Sequence, residues 1–225
     1  MSGRRHIHLA EVGSTNAEAR ALAAAGAASG TVVSADRQTA GRGRQGRSWA
    51  SPPGAVALSL IVRDPAEPAL LPLAAAVATA GLCGPQALIK WPNDIWLDAS
   101  RPPRKVAGIL VETHPPDDWF IVGVGINAAV PVTELGDGWA TLGLQRSQLP
   151  AFREQLVDAL DETLQASGAE ILAAWRARDG LRGTTVAWNG GEGVANGIDD
   201  QGRLLVADGD GALTGLIAGE VHLRR

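Results

Sequence analysis

The sequence has few of the residues on which several classes of protein depend. Its 225 residues include one cysteine, Cys83, so an internal disulfide is excluded and no Cys/His cluster could hold a structural zinc. No run approaches the roughly 20 apolar residues of a membrane-spanning helix, and the N-terminal segment has no apolar core of a signal peptide. We therefore expect a protein of a reducing, cytoplasmic compartment that does not bind membranes.

Sequence motifs of nucleophilic and metal-dependent enzymes are also missing. No GxSxG, HExxH or Walker A sequence occurs, and the four histidines have no metal-ligand spacing. The net charge of −4 argues against a protein that coats nucleic acid, although it allows a local basic patch. Lysine is scarce: the chain has Lys90 and Lys105, and its other 18 basic residues are arginine, a preference that fits codon bias.

Hydrophobic periodicity predicts an α/β domain in the first 180 residues. Helices are expected at 15–26, 69–82 and 150–178, and strands near 6–9, 31–35, 56–60, 87–90, 95–97, 105–112 and 119–127. Thr15 and Glu18 have the spacing of a capping box at the start of the first helix.

The composition changes after Gly180. From there to the end, short apolar runs alternate with Gly/Asp/Asn turns, which predicts a small barrel of antiparallel strands. We therefore expect two units, a catalytic domain at 1–180 and a β module at 181–225.

The segment 41–49 (GRGRQGRSW) is the first candidate for chemistry. Its three glycines leave backbone N–H groups free to approach a ligand, and its three arginines offer forked donors for carboxylate or phosphate. The alternatives are a solvated basic loop and an RNA contact. The segment does not open a helix, so its GxGxxG pattern is weak evidence for a dinucleotide site.

Two lysine-containing motifs follow. Lys90 ends a buried strand and begins KWPND, where a point charge could face a phosphate and Asn93 and Asp94 could orient a nucleotide or hydrated Mg²⁺. The alternative is a turn in which Asn and Asp bond their own backbone. Lys105 opens the strand at 105–112 (KVAGILVE), either at the mouth of a site or at the surface end of a hairpin.

Two further motifs complete the set. The alternating glycines of 123–127 (GVGIN) indicate close approach of a ligand or simply tight strand packing. Asn127 at its end offers a donor and an acceptor suited to an adenine or ribose edge. The hydroxyls of 14–16 (STN) either cap a helix or bind a neutral polar ligand such as a urea.

In this order STN, ADRQTAGRGRQGRSW, KWPND, KVAGILVE, GVGIN and the terminal GEVHLR resemble the motifs of biotin protein ligases (biotin–[acetyl-CoA-carboxylase] ligases). The match runs from residue 14 to 224 and covers nearly the whole chain. The resemblance implies a class II synthetase-like α/β domain with a mixed sheet, followed by an SH3-like barrel. Because STN begins at residue 14, it implies the short form without an N-terminal DNA-binding domain, so we expect no repressor role and no nucleic-acid partner.

The resemblance also implies a two-step reaction. Biotin and MgATP give biotinyl-5′-AMP and pyrophosphate, and biotin then passes to one lysine of the biotin carboxyl carrier protein of acetyl-CoA carboxylase. Mg²⁺ is expected to bind mainly through the ATP phosphates, with no certain protein ligand. The family further implies a monomer or a weak homodimer.

Site residues follow from the matched positions. Those implied for biotin are Ser14, Thr15, Asn16, Gln38, Gly41, Arg42, Arg44 and Lys90. Those implied for the nucleotide are Arg44, Arg47, Trp49, Asn93, Lys105, Asn127 and Arg224. Lys90 is implied as the catalytic lysine between carboxylate and α-phosphate, with Arg44 as the second catalytic residue.

Two alternative functions stay open. One is a lipoate–protein ligase or octanoyltransferase of the same superfold, against which GRGRxGR and KWPND favour biotin. The other is an RNA-binding module that uses the Arg/Gly loop, which would bind polynucleotides in a salt-sensitive way.

Overall fold

A seven-stranded mixed sheet forms the centre of the N-terminal part of the chain. The computed structural model describes residues 5–97, 103–113, 118–217, 219 and 221–223. The strands are β1 His6–Val12, β2 Val32–Gln38, β3 Ala55–Arg63, β4 Leu88–Lys90, β5 Asp94–Leu97, β6 Arg104–Thr113 and β7 Trp119–Asn127. Their order is β1-β2-β3-β7-β6-β5-β4; β1 and β2 pair in parallel and the other neighbours are antiparallel.

Helices cover both faces of this sheet. They are α1 Thr15–Ala24, α2 Leu71–Cys83, α3 Leu149–Gln165 and α4 Gly168–Arg176. Alternate strand residues face opposite layers: Val33 and Ile61 pack with α1, whereas Val32 and Leu60 belong to the larger core that includes α2 and α3. Among the described residues, no helix has the length and apolarity needed to cross a bilayer.

The helical stretch predicted at 150–178 consists of two helices in the structure. Ser167 Oγ accepts a hydrogen bond from the Glu170 backbone N–H, and a Glu170 carboxylate oxygen accepts one from the Ser167 N–H. This capping box starts a new helix within a pattern whose apolar periodicity continues across the break.

The capping box predicted at Thr15 and Glu18 does not form. The N-cap is Ser14, and it makes no side-chain capping bond. The Thr15 hydroxyl instead lies against Gln38 and Ser59, so its hydrogen bonds belong to the sheet side of the helix.

The C-terminal part is the antiparallel β structure that the composition predicts. Its strands are β8 Thr185–Trp188, β9 Gly191–Ile198, β10 Leu204–Ala207, β11 Leu213–Leu216 and β12 His222–Leu223, in the order β11-β10-β9-β8-β12. Leu204 and Val206 join the same buried core as α2 and α3. The two parts of the chain therefore share apolar packing.

A hydrogen bond also joins the KWPND motif to the β9–β10 turn. Trp91, which is 2% exposed, donates from Nε1 to the Gly202 carbonyl at 3.0 Å. Gly202 has φ +75°, and a Cβ there would lie 2.6 Å from Leu73 Cδ1, so glycine is needed for this close approach. Arg176 donates to the Ile198 carbonyl at 3.2 Å and holds the same turn from α4.

Replacing Trp91 by phenylalanine should lower the free energy of unfolding by about 1–3 kcal/mol. The substitution leaves the partly buried Gly202 carbonyl without the Trp91 N–H and removes part of a packed ring. Urea denaturation of both proteins measures the difference. An unchanged midpoint at an unchanged slope would show that this bond adds nothing to stability.

Candidate active site

A cavity of about 220 Å³ opens on the face of the central sheet where α1 begins. Ten of the predicted site residues line it: Ser14, Thr15, Asn16, Gln38, Arg42, Arg44, Arg47, Trp49, Asn93 and Lys105. They come from four of the sequence motifs and from the end of β2. The fold therefore brings together segments that are up to 91 residues apart in the sequence.

Of the other four predicted residues, three are described and are not part of the cavity wall. Gly41 is buried at the base of the arginine loop, where a Cβ would overlap the Trp49 carbonyl. Asn127 is 2% exposed and donates from Nδ2 to the Ala140 carbonyl at 3.1 Å. Arg224 lies outside the described residues.

Lys90 is the fourth. It ends β4 at the edge of the sheet, and its Nζ lies 3.9 Å from Asp94 Oδ2 and 5.9 Å from the ring centre of Trp96. It is not part of the cavity wall in the described chain. The lysine that the resemblance implies as catalytic thus lies next to a residue of the wall, Asp94, without being part of that wall itself.

Lys105 occupies the wall instead. Its ammonium lies 5.3 Å from the ring centre of Trp49, 5.6 Å from that of Trp139 and 2.6 Å from Asp94 Oδ1. Two indole faces and one carboxylate therefore hold this cation in place. Register explains the position: β5–β6 pairing shifts at Ile95 and Trp96, so Lys105 and Gly108 face the same side of the sheet.

The Trp49 indole lies flat against two glycines of the sheet. Gly108 and Gly125 pair across β6 and β7, and a Cβ on Gly125 would be 2.5 Å from Trp49 Cε2. Trp139 meets the Trp49 ring edge-on at 5.5 Å. Gly125 of GVGIN and Gly108 of KVAGILVE therefore allow the close approach of an aromatic side chain to the strands.

The arginine loop folds over the cavity. Arg42 and Ser48 form a short bridge, and Arg44 donates to Asn93 Oδ1 at 3.0 Å, which ties the loop to KWPND. Arg42, Arg44, Arg47 and Lys105 give this end of the cavity several positive charges, and Asp94 is the one acidic residue in its described wall. Such an end attracts carboxylate and phosphate groups.

The wall at the start of α1 and the end of β2, which we call the uncharged end, has no charged side chain and is rich in hydrogen-bonding groups. Gln38 Oε1 accepts from the Thr15 backbone N–H at 2.8 Å and lies 3.1 Å from Thr15 Oγ1, while Gln38 Nε2 donates to Ser51 Oγ at 3.0 Å. Ser59 and Glu112 complete this group behind the wall. The cavity thus suits a ligand with a neutral polar head and an anionic tail.

Several of these residues were missed from the sequence. Trp139 falls in an irregular segment between β7 and α3, where no pattern indicates a site. Ser59 could have been found, since it is a polar residue inside the apolar strand AVALSLIVR. Cys83 is not a candidate nucleophile, because burial raises the pKa of its thiol to about 12.

Comparisons with known proteins identify the family. The model of the "Biotin/lipoate A/B protein ligase family" matches residues 12–127, and that of the "Biotin protein ligase C terminal domain" matches 183–224. The biotin–[acetyl-CoA-carboxylase] ligase of Mycobacterium tuberculosis is 36% identical over 250 residues, covering 99% of this chain and 91% of that protein. The chain belongs to the biotin protein ligase family.

Other biotin protein ligases are similar to this chain in sequence or in fold. The biotin–[acetyl-CoA-carboxylase] ligase of Paracoccus denitrificans is 37% identical, covering 88% of this chain and 92% of that protein. The bifunctional ligase/repressor BirA of Escherichia coli is 34% identical over 67% of its own length. The structure of the biotin protein ligase of Aquifex aeolicus in complex with biotin and ATP superposes with a TM-score of 0.77 at 28% identity, covering 99% of this chain and all of that one. The predicted fold of this biotin protein ligase, and its assignment as an enzyme, are confirmed.

Proposed function

We propose that this biotin protein ligase activates biotin with MgATP to biotinyl-5′-AMP and pyrophosphate, and then transfers biotin to a lysine of the biotin carboxyl carrier protein. One observation supports the proposal most strongly: a single cavity joins an uncharged hydrogen-bonding end to a cationic end with aromatic faces. Biotin has the matching order of groups, a cyclic urea at one end and a carboxylate at the other.

The uncharged end fits the ureido ring. Ser14, Thr15 and Gln38 provide hydroxyl and amide groups for a carbonyl acceptor and N–H donors. Asn16 also lines the cavity, and because its amide is bonded to Glu112 and to the Leu110 carbonyl, its part is in fixing the positions of its neighbours.

The cationic end fits the reacting groups. A carboxylate oxygen must approach the α-phosphate of ATP, and both are anionic, so neighbouring cations lower the barrier. Arg44, Arg47 and Lys105 line this end. We assign the catalytic lysine role to Lys105 in place of Lys90, because the ammonium of Lys105 is in the wall whereas that of Lys90 lies beside it.

The nucleotide base has aromatic partners at the same end. Trp49 and Trp139 offer ring faces for adenine. Asn127 supports this arrangement indirectly, because its hydrogen bond to the Ala140 carbonyl holds the segment that contains Trp139. Its direct contact with the nucleotide stays a prediction.

Mg²⁺ fits the oxygen groups of the wall. The described residues contain no group of three or more acidic, His or Cys side chains that could hold a metal by themselves. Asp94 and Asn93 offer one or two oxygens at the cationic end, which suffices for an ion whose other ligands are phosphates and water. When bound, Mg²⁺ supplies charge neutralisation on the phosphates.

The second step needs no covalent enzyme intermediate. The ε-amine of the acceptor lysine attacks the acyl carbon of the mixed anhydride, the new amide bond forms, and AMP leaves with the electrons of the broken C–O bond. The anhydride hydrolyses in water, so the arginine loop over the cavity protects it. Since ATP is the co-substrate, we infer that the enzyme works in the cytoplasm.

Residues 1–180 would then form the catalytic domain and 181–225 an accessory module held against it. The hydrogen bond from Trp91 to the Gly202 carbonyl, which joins KWPND to the β9–β10 turn, supports this arrangement. The expected monomer or weak homodimer stays a prediction. An RNA-binding role is not favoured, because Arg44 is bonded to Asn93 inside the site.

Pyrophosphate release from MgATP by the purified chain tests the proposal. We expect release that depends on biotin and needs no carrier protein, with lipoate as the parallel substrate. Release with lipoate alone would move the function to lipoate–protein ligation. No release with either, from a folded sample, would refute adenylation.

A further inference from the structure

A hydrogen-bonded series runs from the neutral end of the cavity into the protein. One member is Asn16, whose Nδ2 donates to Glu112 Oε2 at 2.7 Å and to the Leu110 carbonyl at 3.3 Å. Both partners can only accept, so the amide must turn Nδ2 toward them and Oδ1 the other way. Gly123 leaves room for this amide, since a Cβ there would overlap Asn16 Oδ1.

Ser59 is the next member and is fully buried on β3. Its Oγ lies 2.6 Å from Asn16 Oδ1 and 2.8 Å from Thr15 Oγ1. A hydroxyl has one proton, and Asn16 Oδ1 can only accept, so it receives the proton of Ser59. The contact between Ser59 and Thr15 then requires a proton from Thr15.

The Thr15 hydroxyl therefore directs its proton into the protein, to Ser59 Oγ at 2.8 Å and not to the more distant Gln38 Oε1 at 3.1 Å, which already accepts from the Thr15 backbone N–H. A lone pair of Thr15 is left for the cavity. Gln38 instead presents a donor to the cavity. Its Oε1 accepts from the Thr15 N–H, and one Nε2 hydrogen is donated to Ser51. The second Nε2 hydrogen is available to a ligand. The neutral end thus presents an acceptor beside a donor.

We propose that Ser59, oriented by Glu112 through Asn16, is a positioning residue that makes Thr15 an obligatory hydrogen-bond acceptor. The site then selects ligands with an N–H group beside a carbonyl, as in a cyclic urea, and rejects those with an acceptor in place of the N–H. This inference deepens the proposed function and rests on it.

Ligand discrimination provides the test. The probes are biotin and its two ring-oxygen analogues, in each of which one ureido N–H is replaced by an oxygen, with Kd measured by calorimetry. For at least one analogue, the wild-type protein should bind roughly 10- to 100-fold more weakly than biotin, because two acceptors then face each other. All three ligands have the same carboxylate, so electrostatic changes near the arginine loop cancel in the ratio of Kd values.

Ser59→Ala should lower that ratio by roughly tenfold, because the Thr15 hydroxyl is freed to donate to the ring oxygen. Ser34→Ala is the matched control, since Ser34 is equally buried on the adjacent strand β2 and bonds His6 and His8 instead. It should lose similar stability and keep the wild-type ratio. A loss of stability alone therefore cannot produce the expected change.

A second variant covers the case in which Ser59→Ala does not fold. Glu112 is partly exposed, and Glu112→Leu removes the acceptor that fixes the Asn16 amide, so the ratio should again fall. A folded Ser59→Ala protein, or failing that Glu112→Leu, with the wild-type ratio would overturn the inference and leave the proposed function standing. Absence of biotin binding by the wild-type chain would overturn both.

Discussion

Replacing Lys105 by glutamine should reduce biotin-dependent pyrophosphate release by about 10²- to 10³-fold. This is the usual loss when one charged or hydrogen-bonding group is removed from a developing anionic transition state. The ammonium of Lys105 is fixed between two indoles and Asp94 on the cavity wall, so its charge is already in place before ATP arrives. Steady-state pyrophosphate release with saturating biotin and MgATP measures the effect.

Lys90→Gln is the matched comparison, because Lys90 pairs with the same carboxylate, Asp94, from outside the wall. We expect the rate of pyrophosphate release to fall by less than about tenfold in this variant. The ion pair of Lys105 and Asp94 lies between Lys90 and the cavity, so removing the Lys90 charge has a weaker effect on the reacting groups. A larger loss for Lys90→Gln than for Lys105→Gln would return the catalytic role to Lys90. Equal unfolding midpoints of the two variants would show that activity, and not folding, separates them.

Replacing Gly125 by alanine should lower kcat/KM for ATP by about 100-fold, the scale of effect expected from a displacement of about 1 Å in a site. The new Cβ would be 2.5 Å from Trp49 Cε2, a distance that no packed pair of carbons adopts. The indole must leave the strand, and the ammonium of Lys105 then loses one of the rings that hold it. Initial rates at varied ATP concentration measure the loss.

Gly81→Ala is the control for a glycine substitution of the same size. A Cβ at Gly81 meets nothing within 4 Å, and the residue lies inside α2. This variant should keep its activity and gain up to about 1 kcal/mol in stability, since alanine favours a helix over glycine. Full activity in Gly125→Ala would mean that the position of Trp49 does not matter for catalysis.

The central strands could be predicted closely because their apolar pattern is strong. The strand expected at 119–127 has the bounds of β7, and that expected near 56–60 lies within β3. The helical stretch expected at 150–178 is present, but the break inside it was not predicted: Ser167 and Glu170 start a second helix, and apolar periodicity does not reveal such a break. Side-chain capping, and not the apolar pattern, therefore determines where the second helix begins.

The proposal of Lys105 in place of Lys90 as the catalytic lysine uses information that the sequence does not contain. Both begin or end a strand next to polar residues, and the motif alone favoured Lys90. Their placement depends on the register shift between β5 and β6 and on the edge position of β4, which are properties of strand pairing. The candidate site could thus be predicted as a set of motifs, whereas the division of roles that we propose within it rests on three-dimensional contacts.

The scarcity of lysine has a practical consequence for this enzyme. Apart from the N-terminus, the whole chain has two amines, and both lie beside Asp94 with side-chain exposures of 20% and 24%. An amine-reactive acylating agent therefore meets few amines on the protein. The mixed anhydride that we propose the enzyme makes is such an agent. Amine-directed footprinting read by mass spectrometry would for the same reason report almost exclusively on Lys90 and Lys105, and so on whether the cavity is occupied.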